Sequence, residues 1–290
     1  MNRLVHVEYF KLRKRMMTWV LALLMVAIVV LLYSILWSTS SRVAHYGESN
    51  QFTGLDLRQA LYLPAAVPYA LQIVSTFGAT LAIIIAAGDV GSEYAWGTVR
   101  LMATAASGRL QLLSAKLLVV FGFTAAGTLV AIATALAYSA VVTLYYGNAS
   151  ASFLTGVYVR DQFASYGRTL LVLAPYVTLA FGVAVIGRST LAGVGTGLGV
   201  AFLEPIIDAL MRTAGRPWQD IPDYLLNANT RIIVLQNQLP RALPRLGANN
   251  PEVTGAHSPA VAGIILVAYA LTFIAVSFYV FRTRDIGASQ

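Results

Sequence analysis

The chain has 290 residues, of which 58% are hydrophobic and 11% charged, with a net charge of +8 and no cysteine. A soluble domain carries about 45–50% apolar and about 25% charged residues, so a water-soluble globule is excluded; the missing thiols exclude disulfides and thiolate metal sites. Lysines and arginines sit at the ends of apolar runs, as topology signals do, rather than in the single patch of a nucleic-acid-binding face.

Residues 1–16 place Leu4, Val7 and Phe10 near helical spacing, with Lys11, Arg13, Lys14 and Arg15 behind them. This predicts an amphipathic helix on the inner membrane face; the alternative is a basic tail acting only as a topology signal. The first apolar run, Met17 to Trp37, is long enough at about 1.5 Å per residue to cross a ~30 Å hydrocarbon layer. It exceeds the about 7–15 residues of a signal-peptide core and has no A-x-A-like cleavage site, which favours an uncleaved span. Further runs follow at Pro64–Ala87, Lys116–Tyr146, Arg168–Ile186, Thr190–Met211 and Pro259–Phe281. All must be helical, because each unpaired backbone group in lipid costs several kcal/mol. The expected fold is an all-α integral membrane protein with six transmembrane helices in one domain, residues 1–290.

Boundary residues support these spans. Pro64 and Pro68 fall near the start of the second, and Ser258 with Pro259 reads as an N-cap and first-turn proline for the sixth. Trp19, Tyr33, Trp37, Tyr145 and Tyr146 lie near run ends, where aromatic rings favour the headgroup level. With both termini in the cytoplasm, inside segments hold 11 Lys and Arg and the longer outside loops 9, so density supports that orientation.

Within the second span, Gln72, Thr76 and Thr80 recur every four residues and could line a pathway or a seam; hydroxyls satisfying their own backbone explain the stripe equally well. In the fifth, Gly193 with Gly197 and Gly195 with Gly199 have the spacing of close helix contacts. Glu204 and Asp208 share one helix face, with Arg212 a turn further on. A carboxylate near a span centre costs about 2.5–3.5 kcal/mol, so the pair is a candidate outer gate, or else a local ion pair. The segment 212–258 is the largest outer stretch, and Tyr224–Leu239 within it predicts a short interfacial or re-entrant helix. His6, His45 and His257 are too dispersed to suggest a metal site.

Between the second and third spans, residues 89–115 form the expected cytoplasmic segment. It reads Ser92-Glu93-Tyr94-Ala95-Trp96-Gly97-Thr98-Val99-Arg100, then Ser107-Gly108-Arg109 and Lys116. Aromatic residues and arginine anchor interfaces, and Gly97 permits a turn, so the residue types suit partner docking. An ordinary solvated loop is the other reading.

This segment resembles the Glu-Tyr-x-x-Gly-Thr-x-Arg stretch of permease subunits of type-2 ABC transporters. The closing Phe281-Arg282-Thr283-Arg284-Asp285-Ile286, the amphipathic N-terminus and the six-span layout are similar as well. The resemblance implies an N-terminal elbow helix, short outer helices capping the pathway, and a prokaryotic plasma-membrane location. It implies an exporter pairing with a second permease copy or paralogue above two cytoplasmic ABC ATPase subunits. Glu93, Tyr94, Trp96, Gly97, Thr98, Arg100 and Arg109 would then be coupling residues. No G-x-x-x-x-G-K-[ST] loop occurs in the chain, so no cofactor is expected here, and ATP with Mg would bind the partner. Two other functions fit the composition: an ATPase-coupled subunit transmitting motion to another protein, and a self-sufficient channel or secondary transporter. The long arginine-bearing outer segment departs from the family pattern.

Overall fold

The computed structural model describes residues 2–46, 60–97, 108–146, 153–237 and 257–283. Among them there is no strand. A short helix α1 (Asn2–Lys14) breaks at Arg15 into α2 (Met16–Tyr46). The break is secured by the Thr18 hydroxyl, which donates to the Leu12 carbonyl left unpaired at the end of α1 (2.7 Å). There follow α3 (Leu63–Ala95), α4 (Arg109–Tyr145), α5 (Gly156–Gly187) and α6 (Thr190–Thr213). A 3-10 turn (Trp218–Tyr224) leads to the short α7 (Leu226–Val234), and α8 (Pro259–Thr283) closes the bundle. Six helices are long and apolar enough to cross a membrane, namely α2, α3, α4, α5, α6 and α8. The protein is a multi-pass membrane protein by that measure.

The spans start and stop close to the expected places, and the differences have local causes. Pro64 lies in the first turn of α3, where its missing N–H leaves nothing unpaired. Ser258 Oγ accepts from Val261 N at the start of α8 (3.4 Å), the expected cap. Helix α5 begins at Gly156, twelve residues before Arg168, capped by the Thr155 hydroxyl on Tyr158 N.

The bundle centre is α3 and α5, the two spans most enclosed by protein. Helix α8 packs along α5, while α6 lies against both α3 and α5. Close approach there requires missing side chains. A Cβ at Gly193 would stand 2.6 Å from the Ala180 carbonyl, and one at Gly197 2.6 Å from Ile83. The two glycine pairs therefore separate: Gly193 and Gly197 pack inward, whereas Gly195 and Gly199 face open space.

Tyr33 is fully buried, donates to the Ala66 carbonyl (2.9 Å) and packs its ring against Tyr69 and Tyr138. A π-helical turn, Val74–Gly78, interrupts α3 between Gln72 and Thr80. The inserted winding shifts the face on which the four-residue stripe would run.

Candidate functional site

The N-terminal helix meets the bundle through a face that its apolar spacing does not mark. Val7 and Phe10 are exposed, and the side that meets the bundle carries Glu8 and Leu12. Glu8 is the only carboxylate among residues 1–16 and is surrounded by cations. It receives Lys11 at 2.5 Å and Lys116, from the first third of α4, at 2.6 Å.

Lys116 also reaches Glu93 Oε1 (2.7 Å) and Asp89 Oδ2 (3.5 Å) on the last turns of α3. Lys11 contacts Glu93 at 3.2 Å. Arg15, at the α1–α2 break, lies 3.4 Å from Asp89 and 3.9 Å from Glu93, and donates to the Gly88 carbonyl (3.2 Å). Among the described residues, three carboxylates thus meet three cations. Glu8, Asp89, Glu93 and Lys116 are all buried. Balance is what makes the burial tolerable, since one uncompensated charge in such a place is strongly destabilising. Burial alone would raise the Glu8 carboxyl, but Lys116 and then Lys11 outweigh it and hold the group below its ordinary value.

Local sequence explains how the three helices reach one point. Gly88 has no side chain to displace Met17, whose Cε would lie 2.6 Å from an added Cβ. A Cβ at Gly91 would stand 2.2 Å from Thr190 N, so α3 runs directly against the start of α6. Because these residues remain helical, the segment expected to emerge at residue 89 stays in α3 as far as Ala95. Glu93, with 2% of its surface exposed, is a member of the ion cluster and not an outward docking side chain.

Trp96 is the residue that does face outward, 66% exposed. The Arg15 guanidinium stacks over its ring at 5.3 Å, linking it to the cluster. Gly97 takes a left-handed backbone (φ 67°) directly after, the turn for which glycine is suited. Tyr94 packs partly buried against the core. Thr98 and Arg100 lie outside the described residues, as does the Arg109 side chain at the start of α4.

The remaining candidates divide differently. Thr76 is exposed and its hydroxyl returns to the Gln72 carbonyl (3.3 Å), while Gln72 and Thr80 are partly buried. The three do not converge on a common lining.

Glu204 and Asp208, by contrast, are both buried and lie where the short α7 meets α6. The Glu204 carboxylate faces the backbone N–H groups of Leu226 and Asn227, which open α7, with its Oε2 buried and without a hydrogen-bond partner. Asp208 pairs with Arg212 (2.7 Å) as spacing predicts, and also with Arg231 of α7 (3.9 Å). Arg212 continues to Asp223 (3.0 Å). At the far end of α7, Arg168 donates to the Gln236 carbonyl (3.1 Å) and Asn237 Oδ1 (3.3 Å).

Sequence reasoning missed Glu8 and Asp89 as functional residues. The available signal was the company they keep: a lone acid in a basic helix, and an acid four residues before Glu93 at the end of an apolar run. Each demanded a cation, and Lys116 was the one such residue within the opposing apolar run.

These features define a class, a six-span helical membrane protein whose first short helix is locked to two spans by a buried ion cluster. The chain belongs to the family described as "Protein of unknown function (DUF2705)", which it matches over residues 54–287. No curated protein matches it.

Proposed function

We propose that the chain is the membrane-embedded permease subunit of an ATP-driven type-2 ABC exporter in a prokaryotic plasma membrane. It works as a pair of permeases over two cytoplasmic ATPase subunits. The observation that carries the reading is the placement of Trp96: an exposed aromatic at the end of α3, stacked on Arg15, one turn beyond the cluster joining α1, α3 and α4. A push on Trp96 and Gly97 is passed to three helices together, because their shared ion pairs resist separation. In this reading α1 is the elbow, its exposed Val7 and Phe10 resting in the interface with both termini cytoplasmic. Glu93 acts indirectly by holding α3 to α1 and α4, whereas Trp96 touches the ATPase.

The test exploits the absence of cysteine. A photoreactive maleimide on Trp96→Cys is irradiated in native membranes, with Gly195→Cys as the control facing away from the bundle. Cross-linking of an ATP-binding subunit from position 96 alone supports the proposal. No such product, or the same product from both positions, overturns it.

A further inference from the structure

A cavity of about 250 Å³ lies above the ion cluster, between α2, α3 and α4. Its walls are Leu21, Met25, Leu81, Ile85, Phe123 and Gly127, with neighbours of similar character. The three threonines that reach it have their protons committed. Thr18 donates to the Leu12 carbonyl, Thr124 to Val120 and Thr128 to Thr124. The interior therefore asks for an apolar occupant. It is smaller than the about 300–1,000 Å³ of small-molecule pockets, a size suited to one aliphatic chain.

Its mouth has a different chemistry. Arg13 is the one charged lining residue, exposed in the last turn of α1. Trp19 stands beside it, 63% exposed, its indole N–H donating to the Arg13 carbonyl (2.8 Å), and Tyr9 packs on Phe123 at 5.6 Å. An arginine with tryptophan and tyrosine at the end of a span is the pattern that meets phospholipid headgroups. The π-helical turn of α3 adds Val74 and Gly78 to the wall, and such turns frequently mark binding sites.

We infer that this cavity binds one anionic phospholipid from the leaflet on which α1 lies. An acyl chain fills the space between α2, α3 and α4, and the headgroup phosphate, with no choline cation to offset its charge, pairs with Arg13. The lipid would occupy the gap between α2 and α4 directly above the cluster and join α1 to both. The inference does not depend on the ATPase reading.

The test is native mass spectrometry of the purified, delipidated full chain, incubated with phosphatidylglycerol or phosphatidylcholine of identical acyl chains. The expected result is one retained phosphatidylglycerol, preferred about fivefold over phosphatidylcholine, the scale of one basic residue against an anionic headgroup. Arg13→Gln, an exposed substitution, removes the preference. Gly127→Leu fills the cavity and removes retention of both lipids. Gly122→Leu on the same helix, also with open space beside it but outside the cavity, changes neither. Equal retention of the two lipids by the unaltered chain, an undiminished preference in Arg13→Gln, or unchanged retention in Gly127→Leu overturns the inference.

Discussion

Replacing Lys116 with methionine keeps an unbranched side chain, one heavy atom shorter, and removes one positive charge from the buried cluster. Of the described cations, Lys11 and Arg15 would then remain beside Glu8, Asp89 and Glu93, leaving a net charge of −1 among these residues in a place almost closed to water. Lys116 makes the 2.6 and 2.7 Å contacts to Glu8 and Glu93, so both shortest bridges from α4 are lost together. Breaking a buried pair from one side costs about 3–5 kcal/mol, most of it the cost of the stranded charge. A second substitution separates that cost from lost packing: Lys116→Met with Glu8→Gln restores neutrality and should recover a large part of the loss. Thermal unfolding of the purified chain in detergent, followed by far-ultraviolet circular dichroism, gives both numbers. A coupling of about 1–3 kcal/mol between the two sites is expected for groups sharing a network. If Lys116→Met unfolds with the unaltered chain, or the double variant is as unstable as the sum of the singles, the cluster does not hold α1 to α4.

The pH dependence follows from Glu8, whose folded value lies below its ordinary 4.5. A depressed carboxylate contributes stability that is complete above that ordinary value and is lost as pH falls through the folded one. The stability gap between the unaltered chain and Glu8→Gln should thus be constant near neutrality and shrink below about pH 4; a gap that widens on acidification contradicts the assignment. Gly91→Ala must displace the Thr190 backbone and should lower stability by about 1–3 kcal/mol, whereas Gly195→Ala should be tolerated, both read by the same melts. Glu204→Ala removes the carboxylate that faces the first N–H groups of α7. Losing such a cap costs about 1 kcal/mol, so amide exchange across Leu226–Val234 should quicken roughly fivefold while that of α5 is unchanged.

Hydropathy alone placed all six spans, because only a continuous apolar run can satisfy a lipid environment. It also located α7, whose Leu226, Ile232 and Ile233 are buried. What failed was the reading of polar residues at span ends. Glu93 followed an apolar run and looked solvated, but its counter-charges come from α1 and α4, and no local spacing announces a contact between residues 93, 8 and 116. In α1 the apolar row does not mark the side that packs: Val7 and Phe10 stay exposed, and the charged Glu8 takes the protein-facing side. Tyr33 shows the converse, a ring near a run end drawn into the core by a backbone acceptor on α3. Asp208 with Arg212 was legible, being four residues apart on one helix; the added pairing with Arg231 required the fold.

Under the proposed function, an ATPase drives this chain through the end of α3. The most direct measurement is ATP hydrolysis by complexes purified from native membranes on the tagged full chain, alongside Trp96→Ala. Truncating an interface anchor costs about 2 kcal/mol or more, about thirtyfold in affinity. Vanadate-sensitive hydrolysis should co-purify with the unaltered chain and be largely lost with Trp96→Ala, whose own melting is unchanged. A chain that purifies intact without associated hydrolysis, or a Trp96→Ala complex as active as the original, would contradict it.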